Sequence, residues 1–283
     1  SWDAPQIAQA IEEHYRPRFA GDQLPESRIG ICVALADKLD ALVGLFGIGQ
    51  VPTGEKDPFS QRRAALGVVR ILIERSLPLD VMELLEAARR LAAGQLSADV
   101  SMELHAFFMD RLRPYLRERG YAPDEIDAVL ALNPLRLDHV LARLDAVKRF
   151  RALPEGTALS AANKRIRNIL RQAGADLGAT GYELRQDGNV GIHRNSALLR
   201  ENAERNLDHE LESAIGEVRP MLQGRDYASA LRRLAALRPA VDEFFDKVMV
   251  MVDDADLRNN RLALLKDLGN LFLQIADVSR LQG

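Results

Sequence analysis

Residues 29–46 read IGICVALADKLDALVGLF and carry two apolar stripes at helical spacing. Ile29, Cys32, Val33, Ala36 and Val43 form one, and Leu35, Leu39, Leu42 and Phe46 form the other, so the helix is apolar nearly all round. Such a helix is a buried one, and other helices must surround it. Three charges interrupt it: Asp37, Lys38 and Asp40. A carboxylate in the middle of an apolar helix must be paired, hydrogen-bonded or bound to metal. The expected partner of Asp37 is an arginine of the following helix, Arg62 or Arg63, with metal coordination as the functional alternative.

Outward from this helix the same periodicity recurs on both sides. Residues 4–19 place Ile7, Ala10 and Ile11 opposite Glu12 and Glu13. After the loop GIGQVPTGEKD, Asp57 and Pro58 read as an N-cap and a first-turn proline, opening a helix that runs to about Glu74. Helices follow that Gly94 and Gly120 terminate, and further ones span 124–132 and 135–150. The break RALPEGTA, residues 151–158, carries Pro154 and Gly156 and divides the chain into expected domains 1–150 and 151–283. Beyond it, LSAANKRIRNILRQAG is helical, the glycine-rich stretch 174–194 is a loop, and helices cover about 195–222, 226–237, 239–252 and 256–281. No strand pattern and no fixed-period repeat is found. The fold class is all-α, two helical domains.

Composition agrees. The chain has 283 residues, 47% hydrophobic and 28% charged, with 5% aromatic. Many Leu, Ala and Arg against few aromatics favour helices over strands. One cysteine, Cys32, excludes an intrachain disulfide and a thiolate zinc site, which fits a reducing cytoplasm. No apolar run reaches the ~18 residues of a membrane span, and the acidic N-terminus is no signal peptide. A chain that opens directly in a helix is expected to be part of something larger.

Chemical motifs are few. Gly49 to Lys56 nearly matches a phosphate-binding P-loop, but Glu55 precedes the lysine, Asp57 replaces the magnesium-binding hydroxyl, and a helix rather than a strand comes before it. The GxxG at 188–191 lacks the strands of an RNA-clamping KH fold. His14, His105, His139, His193 and His209 show no metal spacing, and no GxSxG elbow marks a nucleophile.

The clearest signal is electrostatic. The whole chain is −3, yet residues 146–172 hold Lys148, Arg149, Arg151, Lys164, Arg165, Arg167 and Arg171 against Glu155 alone. Lys164, Arg167, Asn168 and Arg171 share one helix face. A phosphate backbone would relieve their repulsion, and Asn168 has the donors and acceptor to meet a base edge. Charge alone leaves open a solvated helix face balanced by acids elsewhere in the fold. In DDADLRNNRL, residues 253–262, Arg258, Asn260 and Arg261 form a second polar cluster, for which capping and pairing with Asp253, Asp254 and Asp256 competes with RNA contact.

Two stretches meet a family. ALADKLDALVGLFGIGQVPTGEKDPFSQRRAALGVVRI, residues 34–71, resembles the β subunit of the bacterial two-subunit glycyl-tRNA synthetase. FFDKVMVMVDDADLRNNRLALLKDLGNLFLQIADVSRL, residues 244–281, is similar to the end of that subunit, and KRIRNIL at 164–170 fits as well. The resemblance covers essentially the whole chain as the family's C-terminal part.

It implies an HD-like helical domain followed by a DALR-type anticodon-binding bundle. It further implies a glycine tRNA as ligand, an α subunit as partner, and membership of a glycine–tRNA ligase in which this chain is not itself catalytic. ATP and magnesium would then belong to the α subunit, with no cofactor here. The tRNA-binding candidates are Lys164, Arg165, Arg167, Asn168, Arg171, Arg258, Asn260 and Arg261. The HD resemblance places Asp37, in LADKLD, at the position of a metal-ligand aspartate, while the His-Asp dipeptide of those hydrolases is absent. A metal-dependent phosphohydrolase and a purely structural subunit-joining scaffold are the rival functions.

Overall fold

The computed structural model describes residues 4–54, 56–92, 94, 96–174 and 194–282. Among them the chain forms helices only, apart from two isolated bridges, Thr53 with Lys56 and Asp80 with Arg136. Contacts divide the chain into two units, residues 1–120 with 135–140, and residues 121–134 with 141–283. The break at Pro154 and Gly156 lies within the second of these units. At this break Gly156 sits so close to the Phe150 carbonyl that a Cβ would stand 2.3 Å from its oxygen. The helices before and after the break are thereby held together.

The first unit contains α1 (Ala4–Glu13), α2 (Arg28–Gly47), α3 (Gln61–Glu74), α4 (Val81–Leu91) and α5 (Asp99–Glu118). Helix α2 is its hub, packed against the other four. Leu42, Val43, Val68, Leu72, Leu85 and Leu104 are wholly buried there. Ser27 caps α2 by accepting from the Gly30 amide, and the buried Glu13 carboxylate of α1 accepts from the Ser27 amide at 3.0 Å. A Cβ on Gly30 would lie 2.1 Å from that carboxylate, so the α1–α2 contact requires glycine.

Two expectations change here. Helix α1 ends at Glu13 rather than continuing to 19. Helix α3 begins at Gln61, not at Pro58, because Ser60 takes a left-handed conformation (φ 55°). Asp57 still caps it across that turn, accepting from the Gln61 and Arg62 amides at 2.8 and 3.0 Å.

The second unit contains α6 (Pro123–Leu130), α7 (Val140–Arg151), α8 (Pro154–Gln172), α9 (Asn202–Gln223), α10 (Tyr227–Ala235), α11 (Arg238–Lys247) and α12 (Ala255–Leu273). Helix α8 starts with Pro154 at its first position and buries Leu159, Ala162, Ile166 and Leu170. It packs on α10, α11 and α12, and on the single 3₁₀ turn Val278–Arg280 that follows α12. Phe150 and Phe272 meet edge to face at 6.1 Å in the core. Residues 248–254 are irregular rather than helical, and Arg258 and Arg261 donate to the Val252, Asp253 and Met249 carbonyls of this stretch. The stretch 175–193, read as a loop and bearing the GxxG and His193, lies outside the described residues. No helix among the described residues is long and apolar enough to cross a membrane.

Candidate nucleic-acid interface

The basic helix α8 turns two kinds of cation outward. Lys164 is exposed and makes no hydrogen bond or ion pair among the described residues. Arg165 lies over the Phe245 ring at 4.2 Å, its charge held against α11 by a cation–π contact. Arg171 donates to Asn168 Oδ1 at 3.0 Å, and both remain exposed. Lys148 and Arg149 on α7 are also exposed, Lys148 over the Tyr121 ring at 5.8 Å.

Arg167 behaves otherwise. It ion-pairs with Asp277, which is 2% exposed, and reaches Ser279 Oγ at 3.2 Å. Asp277 also accepts from Arg280 at 2.8 Å and from Ser279 Oγ at 2.6 Å, while its amide donates to the Ala128 carbonyl of α6. One buried carboxylate thus gathers two guanidiniums and pins the C-terminal turn to α6 and α8. The face that spacing predicted is therefore split: Lys164, Asn168 and Arg171 are exposed, and Arg167 is half-buried and paired with Asp277. Arg151 is likewise engaged, with Asp124 at 3.1 Å and Glu125 at 3.6 Å.

Beside Lys164 a cavity of about 590 Å³ opens between α8 and the C-terminal turn, lined among others by Asp127, Thr157, Ser160, Lys164, Ser279 and Arg280. Asp127, Asp277 and Arg280 had no sequence signal that set them apart. The role of Asp277 and Arg280 arises from packing, which brings Asp277 to Arg167 across the fold.

The second cluster is structural. Asn260 accepts from the Asn195 amide at 2.6 Å and donates back to its carbonyl at 3.0 Å. Arg261 is buried, ion-paired with Glu204, and donates to the Met249 carbonyl at 2.7 Å. Glu204 in turn accepts from the Arg200 and Glu201 amides, closing a capping box at the start of α9. Arg258 donates to the Val252 carbonyl at 2.7 Å and to the Asp253 carbonyl at 3.3 Å. All three side chains are thus engaged within the fold, through backbone groups and Glu204 rather than through the carboxylates of Asp253, Asp254 and Asp256. Nearby, the buried Arg194 ion-pairs with Asp208 and with Asp267, the latter at 3.1 Å.

In the first unit the expected burial is reversed. Asp37 is exposed and pairs with neither Arg62 nor Arg63; Arg62 donates instead to the Gly54 carbonyl. Lys38 is the buried charge, 7% exposed, with Nζ donating to the His14 carbonyl just past α1 at 3.0 Å. Burial lowers its pKa, against a smaller opposing pull from Asp37. No group of three His, Cys, Asp or Glu among the described residues is placed to hold a metal ion.

Residues 159–278 match the family model of the DALR anticodon binding domain, so the bundle that carries this basic face belongs to that class of helical tRNA-synthetase module. Residues 2–131 match the family model of the glycyl-tRNA synthetase β subunit. The chain is 53% identical over 277 residues to the glycine–tRNA ligase β subunit of Aromatoleum aromaticum, covering 97% of this chain and 38% of that one. It is 48% identical to that of Thiobacillus denitrificans over 278 residues, covering 98% and 38% respectively. For that of Ralstonia nicotianae the identity is 48% over 282 residues, covering 99% and 38%. The chain belongs to the glycyl-tRNA synthetase β-subunit family. It spans about 38% of the length of these relatives.

Proposed function

We propose that this chain is the tRNA-recognising part of a glycine–tRNA ligase β subunit, and that α8 presents Lys164, Arg165, Asn168 and Arg171 to the anticodon arm of a glycine tRNA. The observation that carries this reading is Lys164: an exposed cation with no partner among the described residues, on a helix inside a DALR anticodon binding domain. Phosphates supply what it lacks, and the unstacked bases of an anticodon loop lie beside such phosphates.

In this reading glycine activation, with its ATP and magnesium, takes place on a separate α subunit, and the chain contributes recognition without catalysis. The HD-like first unit supports that assembly. The test is binding of glycine tRNA, and of the same tRNA with an altered anticodon, across a salt series. Tighter binding of the natural anticodon with a steep salt slope is expected. Equal affinity for both tRNAs would defeat the anticodon assignment, and a flat salt response would defeat the phosphate assignment.

A further inference from the structure

Arg165 is a cation of α8 whose plane, as well as its charge, is set by the fold. Its guanidinium lies over the Phe245 ring at 4.2 Å. Helix α11, which carries Phe245, packs directly on α8. Phe245 is half-buried and meets Phe244 edge to face at 5.6 Å, and Phe244 itself is wholly buried. The core thus fixes one ring, that ring fixes the next, and the second ring carries the guanidinium.

Two other guanidiniums that lie over rings are taken by polar partners. Arg143, over Tyr227 at 4.7 Å, is buried and donates to the Gln274 and Ile275 carbonyls at 2.8 Å. Arg119, over Tyr115 at 4.7 Å, ion-pairs with Glu74 at 3.1 Å. Arg111, over Phe107 at the longer distance of 5.4 Å, is half-buried. Arg165 differs from all three: it is exposed, and it makes no hydrogen bond or ion pair among the described residues. On α11 the carboxylates of Asp242 and Glu243 are already engaged by Arg238 and Lys247. A ring covers one side of the Arg165 plane and solvent the other.

Such a plane accepts a nucleobase on its open side, because bases splayed out of an RNA loop stack on guanidinium planes as they do on aromatic rings. Asn168 stands one helical turn along the same side of α8. Its Oδ1 accepts from Arg171 at 3.0 Å, while its amide nitrogen has no partner among the described residues and is left to donate to a base edge.

We infer that Arg165, backed by Phe245, is the stacking platform for one unpaired base of the bound RNA loop, and that Asn168 donates to the edge of that base. The inference rests on the anticodon-arm reading. It adds a contact to a base where that reading requires only charge, and it makes Phe245 the positioning residue for Arg165. An acidic protein surface would use the charge of Arg165 alone and would not depend on a planar group.

The probe is the anticodon arm of a glycine tRNA in which each loop nucleotide in turn is replaced by an abasic one, titrated with the full chain. One position is expected at which base removal weakens binding by about 5- to 150-fold. Arg165→Lys keeps the charge and removes the plane. It should cause a similar loss with the salt slope unchanged, and removal of that base should then cost little further. Phe245→Leu should shift affinity in the same direction, again at constant salt slope. Arg165 is exposed, so an unchanged urea midpoint is expected for Arg165→Lys, and that variant decides the matter if Phe245→Leu is destabilised.

If Arg165→Lys binds like the parent while Arg165→Ala binds more weakly, Arg165 acts as a plain charge; the inference is overturned and the anticodon-arm reading stands. Anticodon discrimination without any loop base coupled to Arg165 overturns it in the same way. Equal affinity for the natural and an altered anticodon overturns the reading on which it rests.

Discussion

Arg167 of α8 and Asp277 of the C-terminal turn form an ion pair between residues 110 positions apart in the chain. The pair engages one of the cations that helix spacing places on the basic face, leaving it half-buried, and it ties α8 to the turn that borders the cavity beside Lys164.

Arg167→Ala should therefore act on stability and Lys164→Ala on binding. The first leaves buried Asp277 with Arg280 and Ser279 only, at a cost of about 1–3 kcal/mol. The second should change stability by less than about 0.5 kcal/mol and reduce the salt slope of tRNA binding by about 0.7. Urea unfolding and tRNA titrations over a salt series check both. Equal stability of Arg167→Ala and the parent would contradict the structural role.

The buried Arg194 neutralises two carboxylates, Asp208 and Asp267. Arg194→Met should destabilise the second unit by about 3–5 kcal/mol, because it leaves both acids buried without their cation. Replacing all three residues by apolar ones of similar volume should recover most of that loss. Chemical denaturation of the single and triple variants measures the difference.

Lys38 sets a pH dependence in the first unit. Its folded pKa lies below its unfolded value because burial disfavours the charged form. Between those two values the unfolded chain binds more protons, so stability rises as pH climbs through the folded pKa towards the unfolded one. Lys38→Met should flatten that alkaline rise while leaving the hydrogen bond from the Ser27 amide to Glu13 intact. Urea midpoints at pH 7 and in the alkaline range are the measurement, and an unchanged slope in the variant would refute the assignment.

Two glycines should respond in opposite senses. Gly156→Ala brings a Cβ to 2.3 Å from a backbone oxygen that has no freedom to move, with an expected cost of about 1–3 kcal/mol. Gly216, exposed on α9, offers an added Cβ open space, with nothing within 4 Å, so Gly216→Ala should stabilise by roughly 0.8–1 kcal/mol through helix propensity. Thermal unfolding of both variants compares them directly.

Periodicity made the helices and the apolar face of α8 legible, because side chains spaced by a helical turn must share a side. In α2 the stripe Leu35, Leu39, Leu42 and Phe46 is buried as expected, whereas Cys32, Val33 and Ala36 of the other stripe are exposed. At α3 the cap was recognised but the start was not, since nothing local announces that Ser60 will turn left-handed.

Charges were harder. In α2 the sequence offers three charged positions among apolar ones, and the natural inference buried Asp37. The structure buries its neighbour Lys38, since that side of α2 faces the carbonyl end of α1, an acceptor for an ammonium and not for a carboxylate.

The sequence by itself determined that this protein is helical, that a basic segment stands out from an acidic chain, and which face of α8 is buried, but not which face of α2, where Cys32, Val33 and Ala36 are exposed. Only the tertiary structure decided which of those cations are available. Lys164 is left to solvent, whereas Arg167 meets Asp277 and Arg261 meets Glu204. The reason is physical: a helix face is set by neighbours three and four residues away, but a buried charge is neutralised by whatever distant element packing brings within hydrogen-bond reach.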